Sequence, residues 1–151
     1  MTQVFEMIPP AGPAYAITAA ATVVLLVGLA GFLAYVFHSS SQVRFEVSSE
    51  ELRIRGGLYG RSIPLEDLVL DEAKVVDLRT ETRYALSWRT NGIRVPGYQA
   101  GWHRMRKGGK ALVFVTDRQQ VVFLPTRRNY SLLLSAASPH EFLGALHAAA
   151  R

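Results

Sequence analysis

Residues 14–37 read AYAITAAATVVLLVGLAGFLAYVF, a run of 24 residues without a charged side chain. A bilayer offers no water to pair with backbone N–H and C=O groups, so a crossing segment must satisfy them internally, as a helix does. About 20 apolar residues carry a helix across a hydrocarbon core of about 30 Å. Pro9, Pro10 and Pro13 stand before the run, where proline starts a helix rather than breaking it. Tyr15 and Tyr35 fall near its two ends, as interfacial aromatics do. A cleaved signal peptide is the competing reading. It would need a basic n-region, an apolar stretch of roughly 7–15 residues and a small-residue cleavage site. The first 37 residues hold no Lys or Arg, the run is longer than that, and no good A-x-A site follows it. The expectation is a single-pass anchor over 14–37, with a short flank at 1–13 and a linker at 38–42.

Basic residues near a spanning helix favour the cytoplasmic side. Arg44, Arg53 and Arg55 follow the run, and no Lys or Arg precedes it. The N-terminus is therefore expected outside and the C-terminal part in the cytoplasm, at a cell (inner) membrane. Gly28, Ala30, Gly31 and Ala34 are small enough to let a second helix approach, but no G-x-x-x-G is present.

Beyond Ser41 the continuous apolar pattern gives way to alternation. Val43, Phe45 and Val47 alternate with Arg44 and Glu46, the signature of a strand with one buried face. Leu52 and Ile54 continue it across Ser48–Glu51, and Leu58–Ile63 suggests a third strand after Gly56-Gly57. Residues 64–68 read as a turn and Ala73–Leu78 as another strand. Segments 84–89 and 93–98 are expected to flank a hairpin turn at Asn91-Gly92. Ala111–Thr116 and Gln120–Leu124 are two further strands. Ser138-Pro139-His140-Glu141 has the form of a capping box with proline at the first helical position. Phe142 and Leu146 then share a helix face and are expected in the core. The expected fold is about seven strands closed by one C-terminal helix.

The chain has no cysteine, which excludes disulfides, thiolate nucleophiles and zinc–thiolate sites. His140-Glu141 begins like H-E-x-x-H, but Gly144 stands where the second ligand belongs, and His140 and His147 are too far apart for an i, i+4 metal pair. Gly56–Arg61 lacks the G-x-x-x-x-G-K-[ST] pattern, so it reads as a strand connection. A Ser–His–Asp set is recognised by geometry rather than order, and nothing in this order points to one. No catalytic, metal or cofactor site is expected, and the chain is not expected to be an enzyme.

Charge is the informative feature. All 17 Lys and Arg lie after residue 43. Segment 44–77 holds five basic and eight acidic residues, whereas 79–128 holds eleven basic and two acidic, a balance of +9. Arg104, Arg106, Lys107 and Lys110 surround Gly108-Gly109, just after Tyr98 and Trp102. These four are the candidate surface for anionic lipid headgroups or a protein partner. A membrane anchor and the lack of a recognition motif count against nucleic acid.

Over residues 43–150 the chain resembles a family of small bacterial membrane-anchored proteins with a pleckstrin-homology-like (PH-like) domain. The resemblance is carried by Leu52–Gly56 with Ile63-Pro64-Leu65, Asn91-Gly92-Ile93 with Pro96-Gly97-Tyr98, and Gly101-Trp102. Ala111–Asp117, and Leu132–Ser135 leading into Pro139–Leu146, complete it. It implies a mainly-β PH-like barrel over 43–151 capped by a helix, acting as a binding module or scaffold. Many PH domains bind phosphoinositide through basic residues of the first hairpin loop. Here that loop is Ser48-Ser49-Glu50-Glu51, so that site is not carried over. The function expected is a non-enzymatic, membrane-anchored interaction module that binds a protein partner, the anionic inner leaflet or both. The alternative is an accessory subunit of a larger membrane complex.

Overall fold

The structure is a computed structural model and describes residues 12–40 and 43–151. Two compact units emerge, one built on the N-terminal helix and one on the remainder of the chain. The first is α1, Pro13–Ser40. Over Pro13–His38 its mean hydropathy reaches 2.3, so it is long and apolar enough to cross a membrane. Large apolar side chains such as Val24, Leu25, Val27 and Phe32 stand exposed around it. Residues 1–11 of the expected flank and residues 41–42 of the expected linker lie outside the described residues.

The second unit holds nine strands and a helix among the described residues. A three-stranded antiparallel sheet is formed by β1 (Arg44–Val47), β2 (Glu51–Arg55) and β3 (Arg61–Pro64). After a 3-10 turn at Leu65–Asp67 and another at Leu70–Glu72, the remaining strands build a second sheet. They are β4 (Lys74–Val76), β5 (Leu86–Val95), β6 (Tyr98–Met105), β7 (Lys110–Val115), β8 (Val121–Pro125) and β9 (Tyr130–Leu134). Its order is β4-β8-β9-β7-β6-β5. β9 inserts between β8 and β7 and runs parallel to β7, the one parallel pairing among these strands. Helix α2, Pro139–Ala149, closes the chain.

Two cores result, one on each face of the six-stranded sheet. Leu112, Leu124, Leu132 and Leu134 meet Leu52, Ile54 and Ile63 of the small sheet and Leu146 of α2. On the other face, Val113, Val121 and Leu133 pack with Leu78 and Tyr84 from the segment between β4 and β5. Tyr84 lies tilted against Phe123 with ring centroids 4.6 Å apart. Central strands buried on both faces read as near-continuous apolar runs, as Ala111–Val115 and Leu132–Leu134 do. The two sheets and terminal helix are the PH-like arrangement implied by the resemblance.

Three local expectations change. Asn91-Gly92 is not the turn, because β5 continues through it to Val95, with a register shift between Arg89 and Asn91. The chain reverses instead at Pro96-Gly97, where Gly97 has φ 78° and β6 pairs back from Tyr98. Gly92 is needed for contact: it faces Gly101 in register, and a Cβ on Gly92 would meet the Ala100 carbonyl at 2.5 Å. Second, Ser138 occupies the N-cap of α2 but makes no side-chain capping bond. Its carbonyl accepts from the Phe142 N–H at 2.9 Å. Third, Leu146 is fully buried, whereas Phe142 is only half-buried at the margin of the core, tilted against Phe45 at 5.8 Å.

Candidate functional site

The β6–β7 hairpin gathers Arg104, Arg106, Lys107 and Lys110 on one exposed projection. Arg104 and Lys110 face each other in register, on the last rung before the turn. Arg106 and Lys107 lie in the turn itself, which is braced from the side. The Arg106 N–H donates to the Ala85 carbonyl at 2.9 Å and the Lys107 N–H to the Arg83 carbonyl at 3.2 Å. Among the described residues, none of the four basic side chains takes part in an ion pair. Like charges on one rung repel, and among the described residues no carboxylate pairs with Arg104 or Lys110.

Behind this rung lies an aromatic wall. Strand alternation puts Trp102 on the same face as Arg104, and β9 brings Tyr130 beside Lys110. The two rings meet edge to face at 5.2 Å. Arg61, from the start of β3, lies over both, 5.1 Å from the Trp102 centroid and 5.9 Å from that of Tyr130. Thr90 and Asn91 line the β5 side: the Thr90 hydroxyl donates to the Trp102 carbonyl, and the Asn91 side-chain oxygen accepts from the Tyr59 hydroxyl. Thr90, Asn91, Trp102, Arg104, Lys110 and Tyr130 enclose a groove of about 570 Å³. Arg128 stands on its rim, with its Nε 2.6 Å from Asp67 Oδ2. That contact is an ion pair without hydrogen-bond geometry. The rim therefore carries two uncompensated cations and a third that is already matched.

The larger cavity, about 970 Å³, has the opposite sign. Glu50, Glu51, Glu66 and Asp71 line it together with Arg127 and Arg151, an excess of acid at the end of the small sheet where the first hairpin turns.

The strand β6 also holds a buried polar pair on its other face. His103 is 2% exposed and Gln99 8%. The His103 Nδ1 lies 3.2 Å from the Gly101 carbonyl, which holds its proton on that nitrogen, and Nε2 has no partner. Burial pushes its pKa below the ordinary imidazole value, and Arg94 and Arg89 act in the same direction.

Sequence reading reached the four hairpin cations, but Tyr98 is not part of the site. It is buried at the opposite end of β6, with its hydroxyl and Val43 both against Gly57. Arg61, Arg128 and Tyr130 were missed. They come from β3, the β8–β9 turn and β9, and only the parallel β7–β9 pairing and the closure of the two sheets bring them to Trp102. No local signal marks that juxtaposition.

None of the curated proteins and none of the solved structures compared with the chain matches it. The family model described as Bacterial PH domain matches residues 43–150. That match spans both sheets and α2, and with it the groove and its basic hairpin, so the chain belongs to the bacterial PH domain family.

Proposed function

We propose that the chain is a non-enzymatic interaction module, anchored in the cell (inner) membrane by α1, whose domain lies in the cytoplasm and docks on an anionic surface through the β6–β7 hairpin. The observation that carries this reading is the set of four exposed cations on one hairpin with no acidic partner among the described residues. Cytoplasmic leaflets are anionic, and each Lys or Arg near one contributes about 1 kcal/mol. That potential decays over a Debye length of about 8 Å at physiological salt. Only a domain presenting this hairpin to the surface would feel it. A short tether holds the local concentration high, so weak contacts suffice.

The test uses residues 43–151, which contain both cores, and liposomes. The domain is expected to bind vesicles of anionic lipid, to ignore neutral ones and to be released by salt. Replacing Arg104, Arg106, Lys107 and Lys110 by Ser should remove most of the binding. Equal binding by the quadruple variant, or no preference for anionic lipid, would refute the leaflet as the target.

A further inference from the structure

The hairpin is two surfaces rather than one. Arg106 and Lys107 sit in the turn, beside Arg83 and Ala85. Arg104 and Lys110 instead belong to a rung that crosses four strands. The registers place Trp88 opposite Arg104, Arg104 opposite Lys110, and Lys110 opposite Tyr130. All four side chains therefore point to one face, in the order aromatic, cation, cation, aromatic. Trp88 is 72% exposed, the most exposed large apolar side chain of the domain. Strands lie about 4.8 Å apart, so the rung is roughly 14 Å long. An extended peptide covers that in about five residues at 3.3 Å each.

We infer that this rung and the groove behind it form a docking site for a short acidic peptide segment of a partner protein, with carboxylates at its middle and apolar side chains beside them. Carboxylates supply the counter-charge that Arg104 and Lys110 lack. The exposed indole of Trp88 and the wall of Trp102 and Tyr130 cover the flanking apolar groups. A groove of about 570 Å³ falls in the range that buries a small ligand.

This inference rests on the hairpin being an interaction surface, and its test separates the two ideas by keeping the lipid uncharged. The full chain is placed in zwitterionic nanodiscs and titrated into a fluorescein-labelled peptide, Leu-Asp-Glu-Glu-Phe, read by anisotropy. Saturable binding is expected. It should weaken at least tenfold in Arg104→Glu/Lys110→Glu, and equally for wild type when Gln and Asn replace the acidic residues of the peptide. The control variant Arg118→Ser, at an exposed position in the turn after β7, should bind the peptide as wild type does. The inference is overturned by absence of saturable binding, by unchanged affinity in the charge-reversed variant, or by equal binding of the uncharged peptide. Displacement of the peptide by a single-stranded oligonucleotide at lower concentration would also overturn it, assigning the groove to nucleic acid.

Discussion

His103 illustrates how much one position can carry without being a site. It is buried on β6, opposite Arg89 in register, with its ring against Gly92. Its folded-state pKa is depressed below 6.5, chiefly by burial. The neutral form is therefore preferred in the fold, and the unfolded chain binds the proton more readily. The stability this supplies is complete above pH 6.5 and declines as pH falls from there toward the folded-state value. We expect residues 43–151 to melt at a lower temperature at pH 5.5 than at pH 7.5. His103→Gln should narrow that difference. An equal difference in the variant would place the pH dependence in other groups. The four hairpin cations differ from His103 in kind: they are exposed, and among the described residues their side chains make no ion pair.

Among the elements, α2 and β5 show what the sequence made legible and what it did not. The helix was legible because Pro139 and the apolar spacing are local signals, and Leu146 is fully enclosed as expected. Leu146→Ala should cost about 2–5 kcal/mol, the range for opening a cavity in a packed core. Phe142→Ala should cost less than the roughly 3–5 kcal/mol of a fully buried ring, since Phe142 is only half-buried. Ser138→Ala should cost less than the ~0.5–2 kcal/mol typical of an N-cap, because its hydroxyl caps nothing. Urea denaturation of residues 43–151 ranks the three; Ser138→Ala losing as much as Leu146→Ala would contradict the packing described. Strand β5 is not legible locally because Asn91-Gly92 carries strong turn chemistry, while the reason for its glycine lies nine residues away, at Gly101. The same distance problem hid the site. Arg104 and Lys110 stand in a visible basic cluster, but Arg61 and Tyr130 reach Trp102 only through long-range pairing.

At the scale of the whole molecule, charge is sorted along the chain and again in space. The acidic first hairpin lines one cavity and the basic β6–β7 hairpin lines another. β6 runs from Tyr98, near Val43 at the start of the domain, to Met105 at the base of the basic turn. At 3.3 Å per residue that is about 23 Å, several Debye lengths. The hairpin thus senses the bilayer only if β6 lies along the membrane surface, and otherwise faces a partner in the aqueous phase. Both readings require the domain to be tethered and cytoplasmic, which is the central claim. The chain has no cysteine, so Ser138→Cys introduces a single thiol, at an exposed position before α2. In intact cells this thiol should stay with the membrane fraction and resist an impermeant maleimide until the membrane is permeabilised. Ready labelling in intact cells, or release of the domain from the membrane by cleavage after the apolar run, would contradict the account.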